Sequence, residues 1–196
     1  MEYFVKRMDV PDWDSVDRVE LKDTGWLEPA PVRAWAQLCH DGEDLYVRME
    51  AEESPVRATL TGLLDQVCDD SCLEFFFAPD CGDERYFNFE FNPLGALNLG
   101  FGGPRPTRVR QIVKKPEELF RPEPFRTERG WGIQYRVPGE FICRYFPEFR
   151  LEGQCACNFY KCGDRTLRPH YLSWSPMTAK TPDFHRRQDF GTIRFD

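Results

Sequence analysis

The chain reads as an all-β protein: a two-sheet antiparallel β-sandwich, jelly-roll or immunoglobulin-like, with one or two short helices. Three observations predict this. Aromatic residues make up 15% of the chain, with 17 Phe and 5 Trp, beside 16 Pro and 14 Gly; that mixture favours strands joined by turns over long helices. Apolar residues recur with period two in several short runs. Turn residues separate those runs at short intervals, as in sandwiches. At 196 residues, with no internal repeat or low-complexity linker, the chain has the length of one well-buried core, so residues 1–196 are expected to form a single domain.

The elements follow in order. Residues 32–39 alternate, Asp41-Gly42 makes a turn, and Leu45 to Glu50 alternate strictly, which together signal a hairpin. Leu45, Val47 and Met49 face one way, and Tyr46, Arg48 and Glu50 the other. Residues 71–78 form a strand ended by Pro79. Residues 85–92 form the next, with Phe87, Phe89 and Phe91 on one face and Tyr86, Asn88, Glu90 and Asn92 on the other. After a Pro93-Leu94-Gly95 turn comes a strand from Ala96 to Phe101. Arg105, Arg108, Arg110, Lys114 and Lys115 then suit a solvated edge strand whose charges discourage aggregation. Pro116–Phe120 suits one helical turn before a Pro-rich loop, and Pro138–Phe146 a short helix that stops before Pro147. Strands are expected at 131–137, 154–160, 170–174 and 191–195, the last after a long loop through Pro176, Pro182 and His185.

Charge narrows the functions. A formal charge of −7 and a pI near 5.1 argue against nucleic acid or an anionic membrane as partner, since phosphate recognition rests on clustered basic charge. No stretch approaches the roughly 20 apolar residues of a bilayer span. Met1 to Asp9 contain no apolar segment of secretory type, so the chain as given is expected to be cytoplasmic; it would be extracellular only if a leader or neighbouring domains had been removed. Eight cysteines in a chain with ample apolar material are read mostly as reduced, small buried residues. A zinc site finds weak support, because no Cys-x-x-Cys pair occurs; Cys68 and Cys72 are four apart, and Cys155 and Cys157 two apart.

The polar face of the 85–92 strand carries the chemistry. Tyr86, Asn88 and Glu90 in a row, propped by three Phe, suit a neutral polyhydroxyl ligand. Amides and carboxylates satisfy hydroxyl groups, and aromatic rings stack on C–H faces. Asn158 and Tyr160 share a face of their own strand, and Glu74 lies opposite Leu73, Phe75 and Phe77. Ordinary polar surface, or a buried network stabilising the sandwich, would give the same periodicity.

The sequence also resembles a known family. Asp69-Asp70-Ser71-Cys72-Leu73-Glu74-Phe75-Phe76-Phe77 is similar to a strand of family 9 carbohydrate-binding modules and their DOMON-like relatives. Tyr86 to Gly95 is similar to a segment of bacterial family-9-like proteins, as are Asn158 to Lys161, Tyr171 to Pro176, Pro182 to His185 and Phe190-Gly191. The resemblance implies a non-catalytic β-sandwich that grips carbohydrate, often the terminal unit of a glycan, on a concave sheet face. Carried over by position, it makes Glu74 the carboxylate acceptor, Asn88 an amide on the neighbouring strand and Trp174 a stacking ring. The site is thus expected at Glu74, Tyr86, Asn88, Glu90, Asn158, Tyr160 and Trp174, open to water. Two departures stand out: Val67-Cys68 occupy the place of a first clamp tryptophan, and Tyr86 stands where the binding modules have arginine. A sandwich that has lost sugar affinity and acts as an interaction domain is therefore the alternative. No cofactor is expected, although some family modules hold structural calcium, for which the acidic turns at Asp65 and Asp69-Asp70 would serve. Glu74 and Glu90 could otherwise form the carboxylate pair of a glycoside-processing enzyme, but no nucleophile spacing or phosphate loop accompanies them. A haem site would need facing axial ligands, which His40, His170, His185 and Met49 do not offer in this pattern.

Overall fold

A computed structural model describes all 196 residues. Thirteen strands run in chain order: β1 (Glu2–Arg7), β2 (Val19–Glu20), β3 (Arg33–His40), β4 (Asp44–Glu52), β5 (Cys72–Ala78), β6 (Tyr86–Phe91), β7 (Leu97–Gly102), β8 (Val109–Arg110), β9 (Glu123–Thr127), β10 (Gly130–Pro138), β11 (Gln154–Cys162), β12 (Tyr171–Ser173) and β13 (Gly191–Phe195). Two short helices, α1 (Pro116–Leu119) and α2 (Gly139–Cys143), sit within the two segments expected to be helical.

The strands form the two layers of a β-sandwich. One sheet has the order β8-β7-β6-β5-β11-β13, with β12 beside β11. The other has the order β3-β4-β10-β9, with β2 beside β3. β1 belongs to both: Glu2–Val5 pair parallel to β13, then Lys6 and Arg7 pair parallel to β3. Every other ladder is antiparallel. The expected β3–β4 hairpin forms at Asp41-Gly42, where the Asp41 carboxylate accepts from the Glu43 and Asp44 N–H groups and Gly42 takes φ +103°. No strand is expected at Glu2–Arg7, Val19–Glu20 or Glu123–Thr127. These are edge or sheet-bridging segments, whose partners are far away in sequence or whose exposed side blurs the alternation.

The two sheets enclose a core of 34 buried residues. Leu73, Phe75 and Phe77 of β5, Phe87, Phe89 and Phe91 of β6 and Phe159 of β11 meet Val47, Met49, Ile133 and Tyr135 of the opposite sheet. Phe75 stacks on Phe77 and Phe159, with centroids 5.5 and 5.2 Å apart. Each buried ring contributes roughly 1.5–3 kcal/mol. One charge breaks this apolar layer. Lys161 of β11, fully buried, meets the Glu53 carboxylate at 3.0 Å and lies 2.8 Å from His170 Nε2. The Trp131 indole of β10 donates to the same carboxylate at 2.6 Å, so the pair clasps one sheet to the other.

Candidate functional site

The outer face of the β11-β5-β6-β7 sheet gathers the polar residues into rows. Register places Tyr160, Glu74, Glu90 and Asn98 side by side across four strands. The next row holds Asn158, Phe76, Asn88 and Gly100. Gly100 is required there, because a Cβ would collide with the Asn88 amide. Glu74 and Glu90 thus face each other directly.

Glu90 is fully engaged. Asn88 donates to its Oε1 at 2.6 Å and Asn98 to its Oε2 at 2.7 Å. Each amide is held in turn by an arginine: Arg108 donates to Asn88 Oδ1, and Arg110 Nε to Asn98 Oδ1 at 2.7 Å. Arg108 also lies over the Tyr86 ring, 3.8 Å from its centroid, and Arg110 reaches the Leu64 and Asp65 carbonyls. The expectation of a solvated basic edge is therefore corrected for these two residues. Their guanidinium groups turn inward because the amides above a buried carboxylate need donors.

Glu74 differs. Its Oε1 accepts from the Cys162 thiol at 2.9 Å, and its Oε2 has no hydrogen-bond partner in the protein. Burial and the facing Glu90 carboxylate hold Glu74 well above the usual carboxylate range. Burial raises Glu90 too, against the lowering effect of its two amides. Glu74 lies at the floor of a cavity of about 200 Å³, lined also by Glu90 and Asn98. Trp26, Tyr171, Phe184 and His185 form the aromatic walls. Trp26 meets Tyr171 edge-on at 5.5 Å and Phe184 at 5.7 Å. Phe184 stacks on Tyr160 at 4.1 Å, and His185 stacks on Phe76 at 5.0 Å. Burial, with Arg108 and Arg105 nearby, pushes His185 down to about 3, so its ring is neutral; Tyr86 Oη lies 3.0 Å from its Nδ1. At the mouth, Arg105 pairs with Asp183 at 2.7 Å. Four larger hollows lie elsewhere: one of about 1000 Å³ near Arg7, Asp41 and Arg136, one of about 500 Å³ near Asp80 and Arg85, one of about 380 Å³ near Tyr46 and Gln134, and one of about 330 Å³ near Thr61 and Gln111. None touches the polar rows.

The expected open strip is corrected. All seven expected site residues are at most 5% exposed, because the 176–190 loop folds over the face and leaves only the cavity. Glu74, Glu90 and Asn88 do come together at or beside its floor. Tyr86 holds His185 from behind, and Tyr160 supports Phe184 with its ring and donates its hydroxyl to the Phe184 carbonyl. Asn158 does not reach the cavity: its amide donates to the Ser175 and Asp189 carbonyls and accepts from Ser175 N–H, which fastens the loop. Trp174 is on the wrong side. It packs in the core against Phe159, 5.7 Å away, and over Gly191, where a Cβ would strike its ring. Period two explains the error, since Leu172 and Trp174 share the core face and Tyr171 takes the cavity face.

Trp26, Phe184, Asn98, Arg108 and Arg110 go unforeseen as site residues. Trp26 sits in an irregular segment with no period to orient it. The two arginines carry a signal only once the register sets them beside the amides. The acidic turns are likewise occupied. Asp70 accepts from Thr59 and Leu60 N–H, the Thr59 hydroxyl and the Asn92 amide, and Asp65 accepts from Thr61 and Gly62 N–H. The Asp65 and Asp70 carboxylates staple loops, whereas Asp69 pairs with Arg165 at 3.1 Å and lies with Asp164 and Cys68, their ligand atoms within 4.8 Å of one another.

Known structures share the whole architecture. A candidate carbohydrate-binding protein from Bacteroides uniformis superposes with a TM-score of 0.85 at 26% identity, covering 100% of this chain and 99% of that one. A family 9 carbohydrate-binding module from Caldicellulosiruptor kristjanssonii in complex with cellotriose gives 0.69 at 13% identity, covering 100% and 93%. A family 9 module of that organism in complex with glucose gives 0.67 at 13% identity, covering 100% and 96%. No curated protein matches the chain. The sequence pattern of carbohydrate-binding family 9 matches residues 7–195, and the chain therefore belongs to that family.

Proposed function

We propose that the protein binds carbohydrate without catalysis, holding one sugar ring in the cavity above Glu74. The observation that carries this reading is the free Glu74 Oε2 at the floor of an aromatic-walled hollow. A sugar hydroxyl donating to that oxygen would replace its missing partner, and the half-buried Trp26, Tyr171 and Phe184 offer apolar faces to the ring's C–H groups. The volume is below the roughly 300–1,000 Å³ of sites for drug-sized molecules, which suits a single terminal unit. Sugar complexes of family 9 modules with the same fold support the ligand class. Glu90 has both oxygens occupied by amides, so it is poorly placed to act with Glu74 as an acid–base pair.

Titration calorimetry against a panel of mono- and oligosaccharides, glucose and cellotriose included, tests the reading. Individual contacts of about 0.5–1.5 kcal/mol predict micromolar or weaker affinity. Glu74→Gln should weaken it by about 0.5–1.5 kcal/mol, the range for a hydrogen bond between neutral groups, because burial and the facing Glu90 favour the uncharged Glu74 carboxyl. A blank panel would favour the second reading, an interaction domain without sugar affinity, for which the burial of the polar rows is the supporting observation.

A further inference from the structure

Beneath the cavity floor, beside the Glu74 carboxyl that the sugar reading uses, lie two cysteines that it does not. Cys72 and Cys162 are direct partners in the β5–β11 register, and both side chains point to the face that carries Glu74. Their two Sγ atoms and a Glu74 carboxylate oxygen all lie within 4.8 Å of one another. All three side chains are buried, Glu74 being 3% exposed with Oε2 unpartnered. Cys68, on the turn preceding β5, lines the same cavity together with Cys162 and Glu74, so the cluster is reached from solvent through that hollow.

We propose that Cys72, Cys162 and Glu74 form a binding site for a thiophilic divalent cation of zinc type. Two thiolates and one carboxylate are a donor set that such an ion takes in tetrahedral geometry. Metal–sulfur bonds of about 2.3 Å put tetrahedral ligand atoms about 3.8 Å apart; the ligand atoms here all lie within 4.8 Å, with Cys162 Sγ 2.9 Å from Glu74 Oε1, so that pair must open slightly to admit an ion between them. Three protein ligands leave the fourth position facing the cavity, open to water, to the Cys68 thiol or to a ligand hydroxyl. Binding displaces the two thiol protons, and any proton held on the Glu74 carboxyl, to solvent and involves no electron transfer. The cysteine spacing in sequence hides this site, since its two thiols come from strands 90 residues apart that only the sheet brings together.

The test uses the full chain, reduced, stripped by a chelator and free of sugar, with Zn²⁺ alone and Co²⁺ alone as probes. The proposal expects one Zn²⁺ per chain, and with Co²⁺ a thiolate charge-transfer band together with the intense visible bands of tetrahedral coordination. Cys72→Ser and Cys162→Ser should each abolish the charge-transfer band or weaken Zn²⁺ binding by more than about tenfold, the lower end of the loss seen even for outer-shell partners. Glu74→Gln should keep the thiolate band but bind more weakly. Cys81→Ser, at an exposed thiol, should bind like the wild type. If the serine variants fail to fold, the wild-type Co²⁺ spectrum decides, because it reports thiolate ligation directly. Absence of stoichiometric Zn²⁺ uptake by the folded, reduced wild type overturns the proposal, as does uptake unchanged in both serine variants. A Cys72–Cys162 disulfide forming in air, with no metal bound after reduction, overturns it as well. Because sugar is absent throughout, a blank glycan panel leaves the outcome untouched.

Discussion

The two faces of the β11-β5-β6-β7 sheet are almost equally buried, yet they are built on opposite principles. On the inner face Phe75, Phe77, Phe87, Phe89, Phe91 and Phe159 fill space, and no ring there needs a particular partner. On the outer face Glu74, Asn88, Glu90 and Asn158 have 0–5% exposure, and each polar atom needs a named donor or acceptor. Removing bulk from the inner face opens a void. Changing one atom on the outer face leaves a buried group unpaired, a local cost at a definite place. Burial by itself therefore does not separate core from site. What marks the site is the single oxygen, Glu74 Oε2, left without a partner where the polar face meets a cavity.

The division between the two faces is tested most severely at Trp174. If it belongs to the inner face, Trp174→Ala should lower unfolding free energy by about 3–5 kcal/mol in a urea titration, the range for truncating a buried aromatic residue. Sugar affinity of the folded fraction should stay within about twofold. Affinity lost with stability intact would move the indole to the ligand side and undo the division of faces.

The same residue shows how far the sequence reaches. Alternation in 85–92 and 71–78 assigns both faces of β5 and β6 correctly, since period two is a local property of an extended chain. It also places Leu172 and Trp174 on one face, but whether that face is the core depends on pairing with β11. The site required more still. Trp26 Nε1 donates to the Ala179 carbonyl, 153 residues away, and Phe184 reaches Tyr160 through a loop with no repeating pattern. Such contacts are set by the loop's path over a finished sheet. Glu74 and Glu90 share a face because alternation is local to each strand, and the sheet register sets them side by side; the expected openness fails, because the covering loop carries no period.

Lys161 sharpens the contrast as the one charge on the phenylalanine face. Its neighbour His170 is pushed down to about 4 by burial and by the Lys161 ammonium. The folded state therefore binds fewer protons than the unfolded state between about pH 6.5 and 4, and this contribution to stability falls as pH drops through that window. The loss amounts to at most about 3 kcal/mol at 1.36 kcal/mol per unit. The raised carboxyl groups of Glu74 and Glu90 act with the opposite sign, so the whole-protein slope is a sum. The difference between wild type and His170→Gln, measured by denaturant titration from pH 7 to 4, isolates the histidine. Parallel curves would show that the inner-face clasp does not resist protonation.

The smallest effect separates wall from floor on the outer face. Trp26 is half-buried and packs on Tyr171 and Phe184, outside the hydrogen-bonded rows. Trp26→Ala removes stacking area of the kind worth about 0.5–1.5 kcal/mol, a loss of roughly two- to tenfold in sugar affinity by calorimetry. Stability should change by less than the Trp174 truncation, because Trp26 lies outside the enclosed core. The informative quantity is the ratio. A wall residue lowers affinity more than stability, and a core residue does the reverse, so the two tryptophans should exchange rank between the two measurements. Should Trp26→Ala destabilise the fold as strongly as Trp174→Ala while sparing affinity, the aromatic wall is packing for the covering loop, and the sugar must be sought in a different hollow.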